Sequence, residues 1–232
     1  SIVKTAVDFA LYDILAKSLG IPVYKLLGGA YTDRIPLRWA LGFGPTQQMV
    51  DESLKGTKAG FKALKVKVGM GSAKDVEAVK TIRESVGPEI AITVDFNQAY
   101  DTKTAIQIIR KMEQYEILSV EQPVHRRDLY GMNLVRQAVQ TPIGACESSI
   151  SLHDFVQVVK HEAADFVNFK VSRSGGFYPG KTIVNMAAAS GMFLVGSTQL
   201  GTGIELAADA HFAVSTVKLS PAPYHCQGYG TS

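Results

Sequence analysis

The sequence has few cysteines and no long apolar run, and both shortages limit what kind of protein it can be. Its 232 residues include two cysteines, Cys146 and Cys226, which lack the CxxC spacing of a metal or redox site and cannot form a disulfide framework. Apolar runs end well short of the roughly 18 residues that a membrane-spanning helix needs. We therefore expect a cytoplasmic protein without a membrane segment.

Charge of one sign is also scarce. The chain has 24 Lys and Arg residues against 21 Asp and Glu, a formal net charge of +3, which is far from the basic surface typical of nucleic-acid-binding proteins. Hydrophobic residues make up 46% of the chain and charged residues 19%, a composition that is enough for a sizeable core. No nucleic-acid partner is expected.

The chain begins with a helical pattern and continues as a repeat. Apolar residues recur at helical spacing from Val3 to Leu15, and Gly20 and Pro22 end this helix. From there short strand-like segments alternate with longer amphipathic ones, and the strands start every 23 to 28 residues. The predicted strands are 37–43, 63–68, 90–96, 117–121, 143–146, 166–171 and 193–196. Helices predicted between them include 74–85, 102–115, 129–139 and 152–160.

Repeated βα units predict an α/β fold with a parallel sheet. Seven in a row favour a closed TIM-type (β/α) barrel over an open doubly wound sheet. The open sheet is the alternative, although no strand leads into the complete GxGxxG turn that many such sheets carry. We divide the chain into a helix and turn at 1–35 and a barrel domain at 36–232. Since eight units of about 26 residues would run past the end of the sequence, we expect the eighth unit to be missing or partial.

Acidic residues end three successive predicted strands. Asp95, Glu121 and Glu147 are each 26 residues apart, which is one repeat unit. The carboxyl ends of barrel strands meet at one mouth, so we expect these carboxylates to converge there. Three carboxylates held together repel one another unless a cation lies between them. An all-oxygen ligand set predicts Mg²⁺ first and Mn²⁺ second.

Lysines precede and follow this carboxylate set. Lys65 and Lys67 share one face of the second strand, and Lys170 is assigned to the sixth. A lysine beside another cation has a lowered pKa and can act as a base. We expect Lys67 and Lys170 to be an acid/base pair on opposite sides of a substrate, with Lys65 lowering the pKa of Lys67 or contacting the substrate carboxylate.

Four further residues are candidates for lining the site. Asn97 shares the face of Asp95 in the third strand, and Cys146 comes directly before Glu147. Ser197 and Thr198 end the seventh strand, where they would face the mouth and contact substrate.

In these residues the sequence resembles the barrel domain of the enolase superfamily, in the muconate lactonizing enzyme subgroup. The matching segments are residues 6–13 with 22–29, Lys65-Val66-Lys67, Asp95-Phe96-Asn97, Glu121-Gln122-Pro123, and Lys170 with Gly175-Gly176. The resemblance implies Mg²⁺ on three strand-end carboxylates, Lys67 and Lys170 as the acid/base pair, and a small-molecule substrate whose acidic carbon carries a carboxylate. It also implies an N-terminal capping domain, of which we expect this sequence to hold only the connecting helix. We further expect a homo-oligomer.

The sequence departs from the subgroup at two positions. Where members carry Asp-Glu-Ser after the fifth strand, this chain has Cys146-Glu147-Ser148. Because a thiolate suits Mg²⁺ poorly, Glu147 is our choice for the third ligand and Cys146 is the alternative, which strand alternation would point into the barrel. After the seventh strand Gly201 stands where muconate lactonizing enzymes carry Glu, which makes lactonisation less favoured than epimerisation.

The function predicted is therefore Mg²⁺-dependent removal of a proton alpha to a carboxylate through an enolate, with racemisation or epimerisation of an amino acid derivative as the outcome. A cycloisomerase or dehydratase could use the same enolate. From other classes, a Schiff-base aldolase acting through Lys170 or a non-catalytic barrel stays open.

Overall fold

The computed structural model describes residues 2–199, 201–216 and 225–226 of the chain. Its strands are β1 (Leu37–Leu41), β2 (Ala63–Lys67), β3 (Ala91–Asp95), β4 (Ile117–Glu121), β5 (Ile143–Ala145), β6 (Phe166–Phe169), β7 (Phe193–Gly196) and β8 (His225–Cys226). All seven predicted strands are present, each within two residues of its predicted start. A short eighth strand lies in the unit that the sequence leaves missing or partial.

Strand order distinguishes the barrel from the open sheet. Every strand pairs parallel to its neighbours in the order β7-β6-β5-β4-β3-β2-β1-β8. A doubly wound sheet reverses its strand order at a switch point, whereas here β1 to β7 follow the chain without reversal. The edge strands β7 and β8 also lie close together. The prediction of a curled (β/α) barrel is therefore confirmed.

Helices cover the outside of this sheet. They are α1 (Ile2–Ser18), α2 (Val23–Leu26), α3 (Thr46–Lys58), α4 (Ser72–Val86), α5 (Thr102–Met112), α6 (Leu129–Ala138), α7 (Leu152–Lys160), α8 (Val171–Ser174), α9 (Phe177–Ala189) and α10 (Gly203–Val214), with a 3₁₀ turn at Glu113–Tyr115. In α5 the fully buried side chains recur at helical spacing, as Ala105, Ile108, Ile109 and Met112, so this face packs on the sheet. Within the described part of the chain, no helix is long and apolar enough to cross a membrane.

The first helix packs on the barrel through an unexpected face. Thr5 and Phe9 are buried, and the Thr5 hydroxyl donates to the carbonyl of Ser172 at 2.8 Å. The apolar stripe that predicts the helix is instead exposed in the described structure, as in Val7 and Leu11 at 56% and 60%. Periodicity thus predicts the helix but not which of its faces meets the barrel.

Five of the seven predicted strands end one or two residues earlier than predicted, and in β3 and β6 this changes the placement of site residues. β6 stops at Phe169, so Lys170 is the N-cap residue of α8 rather than a strand residue. A short helical turn begins there and closes at Gly175, whose φ of 97° suits glycine. β3 stops at Asp95, and Asn97 adopts a left-handed conformation with φ of 44°. Strand alternation therefore does not place Asn97 on the face of Asp95.

Candidate active site

The carboxyl ends of the strands bring the predicted residues to one rim. Strand register sets Lys67 beside Asp95 and Asp95 beside Glu121, so these three residues lie at one height on β2, β3 and β4. Lys170 follows β6, four strands from β2 in an eight-stranded barrel. The two lysines consequently stand on opposite sides of the mouth, with the carboxylates between them in strand order.

Lys65 bridges two of the carboxylates. Its ammonium lies 2.9 Å from Asp95 Oδ2 and 2.6 Å from Glu121 Oε2, and all three residues are at most 5% exposed. The side-chain amide of Asn168 also donates to Glu121 Oε2. Burying carboxylates is costly unless they are paired, so Lys65 supplies the positive charge that keeps this pair in the barrel.

Burial and neighbouring charges perturb all three acids. Burial and Glu121 raise the pKa of Asp95, while burial, Glu121 and Asp95 raise the pKa of Glu147. Burial alone would raise the pKa of Glu121 as well, but Lys65, Lys170 and Arg38 hold it below the usual range. Asp95 and Glu147 therefore ionise less readily than free carboxyl groups, whereas Glu121 ionises more readily.

The side-chain oxygen atoms around Asp95, Glu121 and Glu147 show whether this site suits a cation. Among the described residues no group of three His, Cys, Asp or Glu side chains has the geometry of a formed metal site. Yet Glu121 Oε1, Glu147 Oε2 and Asn97 Oδ1 are buried and have no hydrogen-bond partner within the described part of the chain. Buried oxygens are normally paired, and oxygen donors are what Mg²⁺ prefers. These residues supply the oxygen atoms that a hard divalent cation prefers, although the described side chains are not arranged as a formed metal site.

Gln122 fixes the segment that carries Cys146 and Glu147. Its side-chain oxygen accepts from the backbone N–H groups of Cys146 and Ser148, both at 3.0 Å, and its amide donates to the Ser148 hydroxyl at 2.8 Å. The Cys146 thiol is buried and accepts a hydrogen bond from Arg173 at 3.4 Å. Burial, Glu121 and Glu147 raise its pKa well above the usual value, so this cysteine is a protonated thiol.

The lysines and hydroxyls have distinct surroundings. The Lys67 ammonium lies 5.7 Å from the centre of the Phe43 ring, within cation–π distance. Lys170 is half-buried, and its charge acts on Glu121. Ser197 and Thr198 are buried directly after β7, where Ser197 N–H donates to the Phe169 carbonyl at 2.9 Å. They lie at the predicted edge of the barrel; their contact with substrate stays a prediction.

Two acidic residues near this rim were missed. Glu205 and Asp209 lie one turn apart on α10, which follows β7. The Glu205 carboxylate accepts from Gln199 N–H at 3.1 Å and fills the space that a Cβ on Gly201 would occupy. Asp209 is 3% exposed, and none of the residues that the structure describes forms a hydrogen bond with its Oδ2. The sequence signal is weak: Glu205 and Asp209 are the acids of a helix built mainly of apolar and small residues, and this pattern does not show which face is buried.

Asp209 should make stability depend on pH. Burial and Glu205 raise its pKa to about 8, against a usual value near 4, while Lys170 opposes the rise. The folded state thus favours the protonated acid, and this contribution is lost as pH rises from about 4 through 8. At pH 8.5 we expect the free energy of unfolding of Asp209→Asn, measured by urea denaturation, to exceed that of the parent protein by about 1 kcal/mol or more. At pH 4 the two proteins should have the same free energy of unfolding. The exposed Asp33→Asn serves as control; a gain independent of pH would contradict the assignment.

Comparison with protein families matches the chain to two models. Residues 48–228 match the enolase C-terminal domain-like family, and residues 1–28 match the mandelate racemase/muconate lactonizing enzyme N-terminal domain. The second match includes α1.

Characterised relatives are epimerases and cycloisomerases. The chain is 36% identical over 220 residues to a hydrophobic dipeptide epimerase from Enterococcus faecalis, covering 94% of this chain and 62% of that protein. It is 32% identical over 213 residues to muconate cycloisomerase 1 from Rhodococcus opacus, covering 90% of this chain and 57% of that one. The solved structure of the dipeptide epimerase from E. faecalis with Mg and the dipeptide L-Leu-L-Tyr superposes with a TM-score of 0.91 at 34% identity, over 96% of this chain and 62% of that one. This chain therefore spans about three fifths of the length of these relatives.

Proposed function

Because the chain belongs to the mandelate racemase/muconate lactonizing enzyme family of the enolase superfamily, we propose that it catalyses Mg²⁺-dependent epimerisation or racemisation of an amino acid derivative with a free carboxylate. The reaction would remove the proton alpha to that carboxylate and return one to the opposite face. A dipeptide is the first substrate class to examine, since the E. faecalis relative is a dipeptide epimerase.

The observation that carries this proposal is the arrangement of Lys67 and Lys170. They stand on β2 and after β6, on opposite sides of the mouth, with Asp95, Glu121 and Glu147 between them in strand order. Inversion at a carbon needs one group to take the proton from one face and another to deliver a proton to the opposite face. Two lysines across one mouth meet that requirement, which a single base would not.

Asp95, Glu121 and Glu147 are the residues that would hold the cation. When bound, Mg²⁺ would neutralise the charge that develops on the substrate carboxylate as the α-proton leaves; Mn²⁺, with similar ligand preference, is the second candidate. Lys65 already contacts Asp95 and Glu121. Its role in this proposal is to balance the charge of the carboxylate cluster and to meet the carboxylate of the substrate.

Each lysine acts as a base in one direction of the epimerisation and as an acid in the other. Lys67, beside the Phe43 ring, takes the α-proton from one enantiomer and gives a proton when the reverse reaction forms it. Lys170 does the same for the other enantiomer. Between the two steps the substrate is an enolate, and the buried strand ends hold it away from water, which would otherwise return protons at random.

Cycloisomerisation is the second candidate, and one contact favours it. Gly201 replaces the Glu that muconate lactonizing enzymes carry after the seventh strand, which argues against lactonisation. However, the Glu205 carboxylate fills the space beside Gly201. A carboxylate is thus present at that end of β7 after all, supplied from α10, and the relative from R. opacus is a muconate cycloisomerase.

Separating Glu147 from Cys146 as the third ligand is a direct test of the metal site. Glu147 Oε2 is buried and has no hydrogen-bond partner in the described structure, whereas the Cys146 thiol is protonated and accepts a hydrogen bond from Arg173. We expect Glu147→Gln to weaken Mg²⁺ binding at least about tenfold, and Cys146→Ser to change it little, as measured by isothermal titration calorimetry. The reverse order of effects would assign the third ligand to Cys146.

A substrate panel tests the proposed reaction. The full-length protein with Mg²⁺ is incubated with dipeptides, N-acyl amino acids and muconate, and products are identified by NMR and chiral chromatography. Appearance of the opposite epimer supports epimerisation, and a lactone from muconate supports the second candidate. Absence of α-carbon chemistry with every carboxylate in the panel would contradict both.

Two parts of the proposal concern the whole protein. We expect it to work in the cytoplasm and as a homo-oligomer. Light scattering on the full-length protein measures the assembly, and a monomeric mass would contradict it.

A further inference from the structure

The acidic pair on α10, Glu205 and Asp209, has no part in the proposed epimerisation, although α10 packs against the helix that Lys170 caps. Glu205 is held at the carboxyl end of β7 by the N–H of Gln199, at 3.1 Å. Asp209 lies one helical turn further along, on the buried side of α10 with Ala208 and Phe212. One of these acids is thus fixed at the rim, and the other is buried behind it.

Asp209 is an unusual residue to bury. It is 3% exposed, and its Oδ2 has no hydrogen-bond partner among the described residues. An unpaired carboxyl oxygen in the interior destabilises the folded protein. Burying Asp209 therefore lowers the stability of the fold. A functional interaction of this acid with a nearby residue would explain why it is buried.

The geometry identifies the partner as Lys170. Lys170 is the N-cap residue of α8, and α8 packs against α10. The positive charge that acts on Asp209 is that of Lys170, which also acts on Glu121. The charge of Lys170 is therefore felt both by Glu121 in the carboxylate cluster and by the buried Asp209. Lys67, on the opposite side of the mouth, has the Phe43 ring among its neighbours.

We propose that Asp209 is a positioning residue for Lys170: its carboxyl group holds the Lys170 amine toward the substrate from behind, on one face of the α-carbon only. The inference rests on the proposed function, since it assigns a support to one of its two bases. Glu205 has the supporting role of fixing the start of α10 to the end of β7. The Lys170 amine then has a buried acid behind it, and the Lys67 ammonium has an aromatic ring beside it.

The test measures α-proton exchange in D2O from each enantiomer separately, using the full-length protein with Mg²⁺. Lys170→Met first identifies the enantiomer that Lys170 serves. We expect Asp209→Asn to slow exchange from that enantiomer about tenfold or more, because misplacing a catalytic group is costly, and to leave the other within about twofold. Equal loss from both enantiomers, or none from either, would overturn the proposal.

Asp165→Asn is the matched control for a general loss of stability. Asp165 lies before β6, at the opposite end of that strand from Lys170, and pairs with Arg136 at 2.6 Å. Any effect that acts only through folding should change exchange from both enantiomers alike in this variant.

A second readout does not depend on catalysis. Amine acetylation at pH 8, followed by mass spectrometry, compares the reactivity of Lys170 with that of Lys67 in the absence of substrate and metal. If Asp209 holds the Lys170 amine, Asp209→Asn should label Lys170 several-fold faster and leave Lys67 unchanged. Unchanged labelling of Lys170 would overturn the inference, even where the parent protein shows exchange. If the parent protein exchanges the α-proton of neither enantiomer, the proposed function is contradicted. The labelling experiment would still test whether Asp209 holds the Lys170 amine.

Discussion

Replacing Lys67 with methionine should abolish exchange of the α-proton of one substrate enantiomer while exchange from the other enantiomer persists. The reason is geometric: Lys67 and Lys170 stand on opposite sides of the mouth, so each reaches one face of the carbon. Loss of a positioned acid or base costs about 10²- to 10⁴-fold, and we expect net epimerisation to fall by that amount. Exchange is measured by ¹H NMR in D2O, starting from each pure enantiomer.

Lys170→Met should give the mirror-image result. Methionine keeps the length and apolar stem of lysine while removing the amine. Lys62→Met is the control, since Lys62 is an exposed lysine just before β2, and it should leave both exchange rates unchanged. If both active-site variants lost exchange from the same enantiomer, the site would have one base and the two-sided account would be wrong.

The second large effect concerns the metal. Mg²⁺ should raise the melting temperature of the parent protein, because a ligand at about 100 times its Kd stabilises the folded state by about 2.7 kcal/mol. Glu121→Gln should remove this increase and lower activity by about 10³-fold or more. Glu121 is 4% exposed, and its Oε1 has no hydrogen-bond partner among the residues that the structure describes, so we propose its carboxylate as the central oxygen donor of the cluster.

The matched control for this variant lies just before the same strand. Glu116→Gln makes the same change in charge just before β4 begins, at an exposed residue, and should keep the Mg²⁺ response. Differential scanning fluorimetry with and without Mg²⁺ gives the answer for both variants. A Glu121→Gln protein that Mg²⁺ still stabilises as much as the parent would exclude Glu121 as a ligand.

The strands and the fold class were predictable because burial leaves a strong pattern. Parallel strands are covered on both faces, so they are nearly continuous apolar segments such as Ile90 to Val94 and recur at a fixed period. The few polar residues in them, Lys65 and Asp95 among others, then mark the mouth. The family resemblance predicted the same fold, and the comparisons confirmed it.

Residues just beyond strand ends were harder to place. The assignment of Lys170 to β6 was wrong because strand alternation was extended into a turn that begins α8. The same extension put Asn97 on the face of Asp95, and the left-handed backbone of Asn97 breaks that alternation; its role in lining the site stays a prediction. Local backbone conformation at such turns depends on tertiary hydrogen bonds, like those of Gln122 to the segment that carries Glu147. Such hydrogen bonds leave no periodic pattern in the sequence from which they could be predicted.

Asp209 was missed for another physical reason. A single acid in an apolar helix usually lies on the solvent side, and the sequence alone does not tell which side faces the core. Only the packing of α10 against α8 shows it to be buried near Lys170. The same limit applies to α1, where the exposed face is the apolar one.

The most direct test of the account is exchange of the α-proton in D2O from both enantiomers of one accepted substrate, followed by ¹H NMR with Mg²⁺ and again after EDTA. The two-lysine, metal-assisted site predicts exchange from both enantiomers and its loss once the metal is chelated, with recovery when Mg²⁺ is restored. Exchange that persists without metal, or that occurs from one enantiomer only, would contradict it.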